Sequence, residues 1–155
     1  MEKLKKKYTS LCQALKTLKD ALEVFDKVES QCKKGDGTKN ISDSISCDQL
    51  YLGLRDSTVQ RFEYCTDLFW KYLKLFLEAS GKTPPSFTPM HIIRTCSVAD
   101  LISGKQADYA VQMIKDRNLT SHTYWEELAE QIAEKIPSYY NLMKEIATNL
   151  SPNRL

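Results

Sequence analysis

Histidine, glycine and proline are scarce in this 155-residue chain, which holds two, five and five of them. The two histidines, His91 and His122, are far apart, and no cysteine pairs with another as CxxC. Metal-ligand spacing is therefore absent, and the residues call for no metal or other cofactor. The five cysteines (Cys12, Cys32, Cys47, Cys65, Cys96) are scattered and odd in number. That argues against a disulfide framework and suits reduced thiols, several of them core fillers. No uncharged run is long enough to span a bilayer, and no apolar segment follows the basic start, so no membrane role and a cytoplasmic location are expected. A net charge of +2 lacks the strong basic bias of an obligate nucleic-acid binder. Lys3, Lys5, Lys6 and Lys7 read as a solvated helix face.

What is present is helical periodicity. Few glycines and long periodic runs favour helix over sheet, and the length suits one domain over residues 1–155 with a substantial core. Leu4, Tyr8, Leu11, Leu15, Leu18, Leu22 and Phe25 recur at alternating spacings of four and three, predicting a first helix of about eight turns. Such a stripe suits a dimeric coiled coil or, more often in a short multi-helix chain, an intramolecular bundle. Residues 33–47 have loop composition and are expected to be mobile. A second helix is expected from about Asp48 to Ala79, with Phe62, Phe69, Tyr72, Leu73 and Phe76 inward and Gly81 as its stop. It carries charged residues beside the stripe: Arg55, Asp56, Arg61, Glu63 and Lys71.

Pro84-Pro85 forces an extended turn, and Thr88-Pro89 reads as the N-cap and first residue of a third helix ending near Gly104. A fourth helix runs from Gln106, and a fifth from about Tyr124 toward Leu150, kinked at Pro137. The fold class is all-α: an up-and-down four-helix-type bundle with an additional short helix and no β-sheet.

The polar stretch Arg117-Asn118-Leu119-Thr120-Ser121-His122-Thr123-Tyr124 interrupts these apolar patterns. In one unbroken helix Arg117 and His122 would sit about 140° apart, so a turn between them would bring them together more easily. Thr123 through Glu126 fits a capping box, which places Arg117 in a last turn and His122 just ahead of the next helix. Amide N–H groups at a helix start beside a guanidinium favour an anion such as phosphate. The plainer reading, which spacing alone favours, is that Arg117 only complements a helix C-terminus while Ser121 and Thr123 cap the next helix.

This stretch resembles the signature of HEPN domains, an arginine and a histidine separated by four to six residues, in the version followed by a tyrosine two positions later. Arg55-Asp56-Ser57-Thr58-Val59-Gln60-Arg61-Phe62-Glu63, continuing through Trp70-Lys71-Tyr72-Leu73-Lys74, resembles the second-helix pattern of the bacterial nucleotidyltransferase substrate-binding group, to whose circle HepT-like toxins belong. The likeness covers about residues 50–146. It departs at the longer 33–47 loop and at Ala99-Asp100-Leu101-Ile102-Ser103, where a Gly-Leu-Ile-x-Asp pattern is the rule.

The resemblance implies a bundle that dimerises so that two Arg–His motifs face one cleft. Many such proteins are metal-independent ribonucleases. Others are non-catalytic partners of a minimal nucleotidyltransferase, and in the toxin–antitoxin version that enzyme transfers AMP to the motif tyrosine, here Tyr124. The chemistry is consistent: a 2′-OH attacks the adjacent phosphate while imidazole moves the proton and guanidinium holds the developing charge. Arg117, His122 and Asn118 would be catalytic, with Asn118 orienting phosphate or imidazole, and Ser121, Thr120 and Thr123 supporting. One histidine per chain is half an acid–base pair, so a homodimer is expected. Two readings stand: an RNA-cleaving toxin controlled by a cognate nucleotidyltransferase antitoxin, and a substrate- or nucleotide-binding subunit that cuts nothing.

Overall fold

The computed structural model of the chain describes residues 1–33, 40–42, 45–120 and 126–155. Helices α1 (Glu2–Lys33), α2 (Cys47–Ala79), α3 (Pro89–Val98), α4 (Gly104–Thr120) and α5 (Glu126–Asn149) carry the fold, and a 3₁₀ turn closes the chain at Pro152–Arg154. The class is all-α. Among the described residues no helix is long and apolar enough to cross a membrane.

The α1 stripe performs as its spacing predicts. Leu4, Leu11, Leu15, Leu18 and Phe25 are buried, and Tyr8 and Leu22 pack against the core from its edge. They face α2, whose Phe62, Phe69, Tyr72, Leu73 and Phe76 are all at most 2% exposed. Each large side chain removed from water contributes roughly 1.5–3 kcal/mol, so this intramolecular face is the stripe's destination. Tyr8 meets Tyr72 with ring centroids 5.4 Å apart, and Phe62 stacks on Tyr139 of α5 at 5.6 Å. The Tyr72 hydroxyl donates to the Leu150 carbonyl, tying α2 to the end of α5.

The termini follow capping chemistry. Ser46 caps α2 in a reciprocal box with Gln49, and Thr88 accepts from the His91 N–H to start α3. Gly81, at φ 70°, ends α2, with the Lys82 N–H reaching the Leu77 carbonyl at 2.9 Å. His91 is exposed, its Nδ1 2.7 Å from the Ser86 hydroxyl.

Three expectations are corrected. The third helix stops at Val98, not near Gly104, because Asp100 takes a left-handed φ of 56° and the Leu101 N–H closes back on the Cys96 carbonyl at 2.9 Å. Ser103 and Gln106 then form a second capping box, so α4 begins at Gly104 rather than Gln106. Finally, Asn40–Ser42 pairs antiparallel with Ile45–Ser46, a short ribbon that leads straight into the α2 cap and that loop composition does not announce. Residues 34–39 and 43–44 lie outside the described residues. The α5 helix is continuous across Pro137, between the fully buried Ile136 and Tyr139.

Candidate functional site

The first half of α2, the end of α4 and the start of α5 converge on one open cleft of 590 Å³. Gly53, Arg55, Asp56, Gln60 and Glu63 of α2 line it, with Thr120 of α4 and Glu126 and Ala129 of α5. Thr120 and Glu126 bracket residues 121–125 in the chain, so both flanks of the polar stretch open on this cleft.

Arg117 occupies the last turn of α4, where a cation complements the carbonyl end of the helix. Its Nη2 donates to Asp67 Oδ2 of α2 at 3.1 Å, with both side chains partly exposed. Among the described residues its buried Nε finds no acceptor, and a donor left unmet costs roughly 1–3 kcal/mol. Thr120, 7% exposed, engages the Glu63 carboxylate and lies 2.6 Å from the Arg117 carbonyl. Two α2 carboxylates one helical turn apart thus hold the end of α4. Asn118 is exposed on the same last turn.

The opposite wall is built on Arg55, only 5% exposed. Its Nη1 donates to Glu126 at 2.6 Å and Glu130 at 2.9 Å, and its Nη2 to Asp56 at 2.9 Å. Burial alone would lower the guanidinium's pKa, but the bonds to Glu126, Glu130 and Asp56 outweigh it and raise the pKa further. The Tyr51 hydroxyl donates to Glu130 at 2.7 Å; burial, then that bond, push its phenol upward.

Behind Arg117, Asp116 is 3% exposed and accepts from Tyr139 at 2.6 Å, Gln112 at 2.9 Å and Lys135 at 3.0 Å. Burial would raise its pKa; the bonds from Tyr139, Lys135 and Gln112 win and hold it below the usual carboxylate value. The Tyr139 phenol is correspondingly pushed up, first by burial and then by that bond.

Of the expected site residues, Thr120 lines the cleft, Arg117 in the same last turn of α4 is paired with Asp67, and Asn118 is exposed on that turn. Ser121, His122, Thr123 and Tyr124 lie outside the described residues, and with them the Thr123–Glu126 capping box. Of the α2 charges singled out by sequence, Arg55, Asp56 and Glu63 line the cleft. Arg61 instead donates to the Thr17 carbonyl at 3.0 Å, fastening α1 to α2. Asp67, Asp116 and Glu130 were missed. The four-residue spacing of Glu63 and Asp67 was a readable sign that the two share a helix face. Among the described residues no three His, Cys, Asp or Glu side chains are grouped so as to hold a metal ion.

Known proteins share this arrangement of helices. The model of the family described as nucleotidyltransferase substrate binding protein like matches residues 6–152. The chain belongs to that family. A crystal structure from Thermus thermophilus is 30% identical, with a TM-score of 0.60 over 86% of this chain and 98% of that one. A tri-AMPylated Shewanella oneidensis HEPN toxin in complex with an MNT antitoxin is 15% identical, with a TM-score of 0.60 over 90% of this chain and 95% of the toxin. A toxin–antitoxin crystal structure with AMP-PNP is 14% identical, with a TM-score of 0.56 over 91% and 97%. A search of curated protein sequences finds no match. In this nucleotidyltransferase substrate binding protein-like chain the fold is thus that of the HEPN domains, with Arg117 at the end of α4 paired with Asp67.

Proposed function

We propose that this chain is a metal-independent ribonuclease toxin of the HEPN type, paired with a minimal nucleotidyltransferase antitoxin. Arg117 stabilises the charge that builds on the phosphate, His122 moves the proton of the attacking 2′-OH, and Asn118 orients the phosphate. Ser121, Thr120 and Thr123 support the turn. The antitoxin silences the protein by transferring AMP to Tyr124, whose added charge and bulk block the cleft. The observation that carries this reading is the state of Arg117. Its guanidinium is aimed by Asp67, yet among the described residues its Nε–H has no acceptor. An incoming phosphate oxygen is the acceptor such a group is suited to take. The likeness to the Shewanella toxin and its MNT antitoxin supports the partner class.

A second reading has its own support. Asp56, Glu63 and Glu126 line the cleft, and Asp67 already holds Arg117, so phosphate must compete with carboxylates there. That balance favours a non-catalytic subunit that presents substrate or nucleotide to the nucleotidyltransferase.

Incubating RNA with the purified protein separates the two. The ribonuclease predicts cyclic-phosphate ends, insensitivity to EDTA, and loss of about 10²–10⁴-fold in rate on His122→Ala with unchanged helical signal. Arg117→Ala should be comparably damaging. Tyr124→Phe should keep the cutting and escape AMP transfer. Cleavage surviving in His122→Ala, or dying with EDTA, defeats the mechanism; no cleavage at all by unmodified protein selects the binding subunit.

A further inference from the structure

Outside the cleft, two thiols meet where α1 hands over to α2. Cys32 is in the last turn of α1, and Cys47 is the first residue of α2. The register of the two antiparallel helices puts them face to face, as independent pairs along the seam demonstrate. Phe25 meets Tyr51 with centroids 5.1 Å apart, Arg61 donates to the Thr17 carbonyl, and Tyr8 meets Tyr72. The residue numbers of each pair add to between 76 and 80. Cys32 and Cys47 add to 79, so the same register sets them opposite each other at the end of the seam. Cys32 is half-buried, within reach of a small reagent, whereas Cys47 is 7% exposed and screened from one.

We propose that Cys32 and Cys47 are a thiol-oxidation site, converted by a low-molecular-weight disulfide into a reversible cross-link between the end of α1 and the start of α2. The Cys32 thiolate attacks one sulfur of the reagent, forming a mixed disulfide and releasing the first small thiol. The Cys47 sulfur then attacks the Cys32 sulfur, the mixed bond breaks, and the second small thiol leaves. The two protons lost from the protein thiols end on the two released thiols; the protein is oxidised by two electrons and the reagent reduced by two. The neighbouring Cys47 thiol, then burial, push the Cys32 pKa up to about 11, so the first step is slow at neutral pH and faster in mild alkali. Among the other thiols, Cys65 and Cys96 are buried and pushed up to about 12, which leaves Cys12 as the exposed competitor. The cross-link fastens the base of the helix whose first half supplies Arg55, Asp56 and Glu63 to the cleft.

The test treats full-length Cys12→Ser protein with glutathione disulfide at mildly alkaline pH and reads intact mass and peptide maps. The expected product has lost two hydrogens, carries no glutathione, contains a Cys32–Cys47 linked peptide, and reverts with dithiothreitol. Its melting temperature should rise by roughly 5–10 °C, since a loop of this length is closed in the unfolded chain. Adding Cys47→Ser should instead trap glutathione on Cys32. A stable glutathione adduct on Cys32 with Cys47 present, or no reaction at Cys32 while the chain stays folded by circular dichroism, overturns the proposal. None of these readouts involves RNA, so the result is independent of the nuclease reading.

Discussion

Asp116 stands immediately before the motif arginine and is the residue on which α4 and α5 agree. It accepts three hydrogen bonds while 3% exposed, and two of them come from α5. Its pKa lies below the ordinary 3.8, so its contribution to stability is complete above that value and lost as pH falls through the lower folded one. Tyr139 has the opposite sign: with its phenol raised, its contribution is complete below the ordinary 10.0 and lost only in strong alkali. Lys135 is 46% exposed and returns to water easily, so removing Asp116 chiefly strands the buried Tyr139 hydroxyl. Asp116→Ala should therefore cost about 1–3 kcal/mol in urea melts at neutral pH. The gap to the parent protein should narrow as pH falls below 3.8 and through the lower folded value, where the carboxylate takes up its proton. A gap that persists there would show that packing, not the charged network, was lost.

The turn between α3 and α4 illustrates how two adjacent signals specify an interruption. Cys96 through Leu101 closes α3 by the pairing that Gly81 provides after α2, but with Asp100 in the left-handed position. Aspartate is one of the few residues with a side chain that tolerate this conformation, so the helix stops with no glycine to mark the place. Two residues later, Ser103 and Gln106 exchange side-chain and backbone bonds at 2.9 and 3.2 Å and restart the chain as α4. This cap sets where α4 begins and hence which residues fall in its last turn. Ser103→Ala should lower stability by about 1 kcal/mol, a fall of about 2–4 °C in melting temperature for a chain of this size. Thermal melts of the variant beside Asp100→Gly, which should be neutral or mildly stabilising, separate the two signals.

For the whole molecule, the proposed chemistry needs a second copy, because each chain brings one imidazole to the polar stretch. The elements that line the cleft also carry exposed apolar side chains: Ile45 just before α2, Leu52 in its first half and Leu119 in the last turn of α4 are 45%, 37% and 43% exposed. Sedimentation at micromolar concentration should therefore give twice the chain mass of 17.8 kDa. A 17.8 kDa monomer that still cuts RNA would remove the two-chain site from the proposal.

What the sequence by itself determined are the features set by local period and local chemistry. The stripe from Leu4 to Phe25, the aromatic row from Phe62 to Phe76, the Thr88-Pro89 start and the Gly81 stop each act within a few turns of one helix, so spacing and residue type suffice. The same locality made the Arg117–Tyr124 stretch stand out, since a polar run between two apolar stripes is visible in one dimension. Only the tertiary structure decided which charges meet. Asp67 lies 50 residues from Arg117, Glu63 lies 57 from Thr120, and Arg55 lies 71 and 75 from Glu126 and Glu130. Such pairings depend on the rotation of each helix about its axis once the core has closed. That rotation is set by the summed packing of all five helices, and no single stretch of chain carries it.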